Sequence, residues 1–171
     1  LAERGGPAYD RSVRALLGLA MLLAFAGSAA ASGSSSPRFR RADRSAIVFR
    51  GAVRAWCDRT SLNVVNVARI RQSRWQLVVA RRRVRPRRVV RLSWPRSTAI
   101  GIFVFDAKTR NEASEGAEGS RGVVTLRHAT CRRGGSLEIR LSGKIASEFS
   151  DGKPVWVSGT YRGSVGSPPR Q

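Results

Sequence analysis

Seven arginines and no acid fall within "ARRRVRPRRVVRLSW", residues 80–94. A guanidinium group presents a planar fork of donors that matches phosphate and carboxylate oxygens. Arg81, Arg82, Arg83, Arg85, Arg87, Arg88 and Arg91 are therefore the candidate anion-binding residues. The wider interval from Arg59 to Phe105 holds twelve arginines, no lysine and no acid. Six of the candidates, Arg81 to Arg88, crowd a segment no larger than a few Debye lengths of ~8 Å, so they repel one another. Folding gains nothing electrostatically from that crowding, whereas an anionic partner relieves it.

Other chemistry is poorly supplied. A hydrolytic triad would have to use the single histidine, His128, with Thr130 or Ser136 as nucleophile. Neither sits in a G-x-S-x-G elbow, and no glycine-rich loop ends in G-K-[ST]. No catalytic residue is assigned, and the chain reads as a non-enzyme. Asp106 and Glu148 are a conceivable carboxylate pair, but nothing in the sequence sets their separation. Glu112, Glu115 and Glu118 do not follow the spacing of a calcium loop, and read as a solubilising stretch that offsets nearby arginines. Two cysteines and one histidine are too few for a zinc site. No metal or cofactor is expected. Cys57 and Cys131 are expected to pair if the chain meets an oxidising space, the alternative being two buried free thiols.

Export is what the N-terminal residues suggest. Arg11 and Arg14 precede an apolar run, "ALLGLAMLLAFA", and "GSAAASGSSS" follows with a small-residue cleavage pattern at Ala29-Ala30-Ala31. That is the layout of a signal peptide over residues 1–31, and the apolar run is shorter than the ~20 residues a spanning helix needs. No integral membrane span is expected after cleavage, and the destination is outside the cell or its envelope. Without residues 1–31 the chain keeps 29 basic and 9 acidic residues, a formal charge of +20. Such a charge favours an anionic polymer, a lipid surface or extracellular nucleic acid. A GC-rich coding bias is the competing source, because arginine outnumbers lysine 29 to 3.

The elements that would position these residues are strands. Residues 32–44 read as a flexible basic linker, residues 45–163 as one β domain and residues 164–171 as a disordered tail. Trp75, Leu77 and Val79 alternate on one face of "RWQLVVA", as do Val90, Leu92 and Trp94 in "RVVRLSW". Leu137, Ile139 and Leu141 point inward in "SLEIRLSG", with Glu138 and Arg140 outward. "AIGIFVFD" is apolar on both faces, as a central strand would be. Residues 107–122 are polar and dotted with glycine, and read as a loop. The segments at 75–79 and 88–94 are expected to form a hairpin that projects past the sheet and turns near Pro86, which has no N–H to give a ladder. All four tryptophans, Trp56 and Trp156 included, are expected in the core. About eight short strands and no sustained helical period predict an all-β, antiparallel barrel or sandwich.

The run "GVVTLRHATCRRGGSLEIRLSGKIASEFSDGKPVWVSGTYRG" resembles the C-terminal half of small exported bacterial β-proteins. The matching features are Gly122 to Leu126, the glycine-led strand Gly135 to Leu141, the Asp151-Gly152 turn and the closing strand Val155 to Tyr161. The resemblance spans roughly residues 75–163, consists of hairpin grammar and carries over no active residue. This chain departs from it in its arginine load and in lacking a lipid-anchor cysteine. Three functions stay open on sequence alone. They are anion binding through the arginine-rich hairpin, a structural or protein-interaction module, and a small-ligand barrel.

Overall fold

The structure is a computed structural model that describes residues 36–169 except 70, 94–98 and 151. The expected signal peptide over 1–31 and the core role of Trp94 lie outside the described residues. The fold is all-β. The eleven strands are β1 (Arg38–Arg40), β2 (Ala46–Ile47), β3 (Val53–Cys57), β4 (Ser61–Asn66), β5 (Arg74–Ala80), β6 (Arg88–Ser93), β7 (Ile100–Asp106), β8 (Asn111–Ser114), β9 (Arg121–His128), β10 (Ser136–Ser147) and β11 (Val155–Ser164). Every ladder between them is antiparallel. Among the described residues no helix is long and apolar enough to cross a membrane.

The strands form two sheets that share β10. The first runs β2-β1-β11-β10-β9-β6 and the second β10-β8-β7-β5-β4-β3. β10 pairs with β9 as far as Lys144 and with β8 at Ala146 and Ser147, so one twelve-residue strand passes from one sheet into the other. Gly143 lies opposite Gly122 at that crossing. A Cβ on either would come within 3 Å of the partner's backbone, so the pair permits an approach that no larger residue allows.

Period-two alternation fills the interior. Trp75, Leu77 and Val79 from β5, Ile100, Ile102 and Val104 from β7, and Leu137, Ile139 and Leu141 from β10 are buried in one cluster. Phe39, Val90, Leu92 and Tyr161 join it from β1, β6 and β11. β7 buries alternate residues and leaves Phe103 and Phe105 half-buried on the other face, as a central strand between β5 and β8 should.

Several boundaries differ from the sequence reading. Residues 38–40 are a strand, not linker, because Phe39 is an inward anchor packed against Phe49 and Trp75. Residues 111–114 are a strand inside the expected loop. β8 is short and polar, and only Ala113 gives it an apolar inward residue, so alternation is invisible in its sequence. The start of the expected tail is docked: Val165 is buried and the Gly166 N–H donates to the Ala55 carbonyl at 2.7 Å. Trp156 is exposed, because Val155 and Val157 take the inward positions on either side of it.

Two cross-links join parts of the chain that are distant in sequence. Arg41 donates to both Asp106 oxygens, from Nε at 2.5 Å and NH2 at 2.8 Å, while its NH1 reaches Ser45 and the Ala46 carbonyl. Asp106 also accepts from the Thr109 hydroxyl and the Lys108 N–H, and is 1% exposed. Burial alone would push its carboxyl pKa up. The bonds from Arg41, Thr109 and Lys108, with the guanidinium charge, outweigh that and hold it below the ordinary value. The second link is the Cys57–Cys131 disulfide, which closes a separation of 74 residues between β3 and the β9–β10 turn.

Both links can be tested by unfolding in urea. The disulfide should contribute about 4 kcal/mol in the chain-entropy model, so Cys57→Ser/Cys131→Ser should lose up to that amount; an unchanged midpoint would show that the link is dispensable. Asp106→Asn leaves a desolvated guanidinium unpaired and should cost about 3–5 kcal/mol at neutral pH. Because the folded pKa of Asp106 is depressed, its contribution is complete above the ordinary carboxyl value and is lost as pH falls through the lowered one. The Asn variant should therefore lose less stability than the parent as pH falls below the ordinary carboxyl value of about 4.

Candidate anion-binding surface

β5 is flanked by β4 and β7, so both of its edges are occupied before the arginine run begins. It cannot pair with β6, and the expected projecting hairpin does not form. Arg81–Arg83 instead make one 3-10 turn after Ala80, and the chain crosses from the second sheet to the first, where β6 pairs with β9. The corner is moored. The Arg81 N–H donates to the Thr60 carbonyl at 2.7 Å, Arg81 NH1 donates to the Asp58 carbonyl at 2.6 Å, and Val84 packs against the core. Arg83 is half-buried, and its Nε has no hydrogen-bond partner among the described residues. Arg87 closes the corner in the left-handed region at φ 59, with its N–H directed to the Arg127 carbonyl. Arg81, Arg82, Arg85, Arg87 and Arg88 are exposed. Arg91 stands apart from them, on the outer face of β6.

That outer face continues across the first sheet. Register aligns Arg40, Trp156, Lys144 and Arg121 in one cross-strand row. The next row is Arg38, Ser158, Ser142, Val123 and Arg91. Below it come Thr160, Arg140, Thr125 and Val89, and then Arg162 with Glu138. The floor is small and hydroxylated at its centre, and long cationic side chains stand around it. Five strands at ~4.8 Å spacing make it roughly 19 Å wide.

Glu138 is the acid of this face. It lies 3.6 Å from both Arg127 and Arg162, so two guanidinium groups already share it. Arg38, Arg40, Arg91, Arg121, Arg140 and Lys144 have no described carboxylate within ion-pair distance. Three large apolar side chains are also presented here: Val89 at 55% exposure, Val123 at 37% and Trp156 at 42%. The second sheet differs. Its outer face presents Phe103 and Phe105 with the Arg74 guanidinium over both rings, 5.3 Å from the Phe105 centroid.

The remaining candidates are dispersed. His128 is exposed at the end of β9, opposite Glu138. Asp106 is committed to Arg41, whereas Glu148 accepts from the Ser114 hydroxyl. Glu115 is 4% exposed and accepts from the Ile102 N–H at 2.8 Å, so it is a structural carboxylate and not a solubilising one. A surface depression of about 590 Å³ lies beside Arg41, Asp106, Arg110 and Lys153. The interior itself is occupied by Trp75, Tyr161, Phe39 and the aliphatic core.

Sequence reasoning found Arg91 and the corner but missed Arg38, Arg40, Arg121, Arg140, Lys144, Arg162 and Trp156 as parts of one surface. They come from four strands, and only register joins them. The alternation V-W-V at 155–157 did carry the signal that Trp156 faces outward. No family model, curated protein or solved structure matches this chain.

Self-repulsion across the corner and the face should make the fold salt-stabilised. Raising ionic strength from about 0.01 to 0.15 M shortens the Debye length from ~30 to ~8 Å and should raise Tm. Arg82→Ser/Arg85→Ser/Arg88→Ser should raise the low-salt Tm and shrink its salt dependence. A low-salt Tm that drops would show that the corner arginines stabilise the fold.

Proposed function

We propose that this chain is an exported β-domain that binds an anionic polymer or surface, with the outer face of its first sheet as the principal contact and the arginine corner as its extension. The observation that carries this reading is the charge of that face. Eight basic side chains from β1, β6, β9, β10 and β11 share it with Glu138, which is already paired twice. The strand register fixes the spacing of these cations, so a polyanion meets several of them together, each long side chain still being ordered on contact. The summed field also draws anionic chains in at low salt. Two further observations agree with export: the signal-like layout of residues 1–31 and the Cys57–Cys131 disulfide.

The face and the corner can be separated by mutation. Arg38→Ser/Arg121→Ser/Arg140→Ser/Lys144→Ser should lose most retention on immobilised heparin at moderate salt. Its affinity should also depend less steeply on log salt, by roughly 0.7–0.9 per lost contact. Arg82→Ser/Arg85→Ser/Arg88→Ser should weaken retention less. Equal retention of parent and face variant, with both folded by circular dichroism, would overturn the proposal.

A further inference from the structure

We infer that the polymer is a single-stranded nucleic acid, held by stacking of a base on Trp156 between phosphate contacts to Arg40 and Lys144; this rests on the reading above. Trp156 is fixed by position. β11 is bonded to β1 on one side and β10 on the other, and Val155 and Val157 occupy the inward sites, so the indole stays on the outer face. Arg40 and Lys144 are its cross-strand neighbours. Ser158 is the next outward residue on its own strand, and Ser142 lies beside Ser158, so the ground next to the indole is low. The arrangement offers an indole that is 42% exposed, with a cationic residue on each flanking strand. Single-stranded nucleic acid alternates flat rings with phosphates and fits both parts, because every base has a face that stacks on an aromatic side chain.

The alternatives fit less of the surface. A duplex hides its base faces, and a sheet face of this kind has no protruding helix or ribbon to enter a groove. An anionic lipid surface also takes an interfacial tryptophan beside cations, but it gains most from several apolar side chains inserted together. Trp156 stands between two cations at mid-sheet, and the exposed Phe149 lies in the β10–β11 turn next to Glu148. A sulfated or uronic glycan would use the cations but present no aromatic ring to the indole. The width of the face suits a short segment, on the order of four nucleotides.

The test compares the full chain with labelled oligothymidylate and oligouridylate of about twelve nucleotides, a duplex of equal length, polyphosphate, heparin and phosphatidylglycerol vesicles. Anisotropy, or co-sedimentation for vesicles, gives each affinity. Both oligonucleotides should bind more tightly than polyphosphate of equal charge and than the duplex, and a preference between them would identify the sugar. Trp156→Ala should weaken oligonucleotide binding by about tenfold or more beyond any loss toward polyphosphate, and Trp156→Phe should restore most of it. If Trp156→Ala weakens both ligands equally, or if heparin or vesicles are preferred, the nucleic-acid inference is overturned and polyanion binding stands. If no polyanion binds in a salt-dependent way, both readings fall together.

Discussion

Twelve residues of β10 run through both sheets, and the register of that one strand constrains nearly everything else. Leu137, Ile139, Leu141 and Ile145 are fixed inward, and Glu138, Arg140, Ser142 and Lys144 are therefore fixed outward. A slip of one residue would exchange the two sets, so the core and the charged face are specified by the same pairing. β11 follows β10 over ten paired positions and β9 over seven, and each hands its own alternation to the next strand. The row Arg40–Trp156–Lys144–Arg121 is a consequence of that relay. No residue in it is near another in sequence.

A core built this way has to coexist with strong net charge. The structure uses a few well-connected carboxylates for the purpose. Asp106 neutralises Arg41 where both leave solvent and binds β1's downstream turn to the end of β7. Asp58 accepts from the N–H and hydroxyl groups of Thr60 and Ser61, and these bonds hold its pKa well below the usual carboxylate range; the Asn63 amide donates to it as well. Its own carbonyl receives Arg81, so the start of the arginine corner is anchored to a turn that is already rigid. The side chains of Arg82, Arg85, Arg87 and Arg88 make no hydrogen bond or ion pair among the described residues. They contribute charge without holding the fold together.

The fold class was legible because alternation is a local signal. β5, β6 and β10 each display their inward residues within seven or eight letters, and the disulfide pairing was expected from the presence of two cysteines and a signal-like N-terminal layout. What was not legible was pairing. The arginine run looked like a hairpin tip because it puts arginine on both faces between two alternating strands, consecutive strands are usually neighbours, and Pro86 has no N–H to give a ladder. Here β7 occupies the edge that β6 would have used, and nothing within residues 74–93 reveals that. β1 and β8 were hidden for another reason. Each contributes a single fully buried apolar residue, Phe39 or Ala113, and one residue has no period. The outer face inherits these gaps, since its membership depends on which strands are neighbours.

Composition bias explains many arginines, but it does not decide where acids go. After residue 31 the chain has nine acids, and Asp106, Glu112, Glu115 and Glu118 fall within the thirteen residues that end β7, form β8 and lead into β9. Glu148 joins β8 through Ser114, and Asp43 and Asp58 are used in turns. Asp151 lies outside the described residues, and Glu138 stands on the outer face of the first sheet, where Arg127 and Arg162 bracket it. A bias that enriched arginine uniformly would load both faces alike, yet the second sheet's outer face carries Arg54 and Arg74 among Gln76, Phe103 and Phe105. The segregation therefore belongs to the fold's arrangement of acids and aromatics, and it leaves unpaired cations together with the exposed Trp156 on one rigid face.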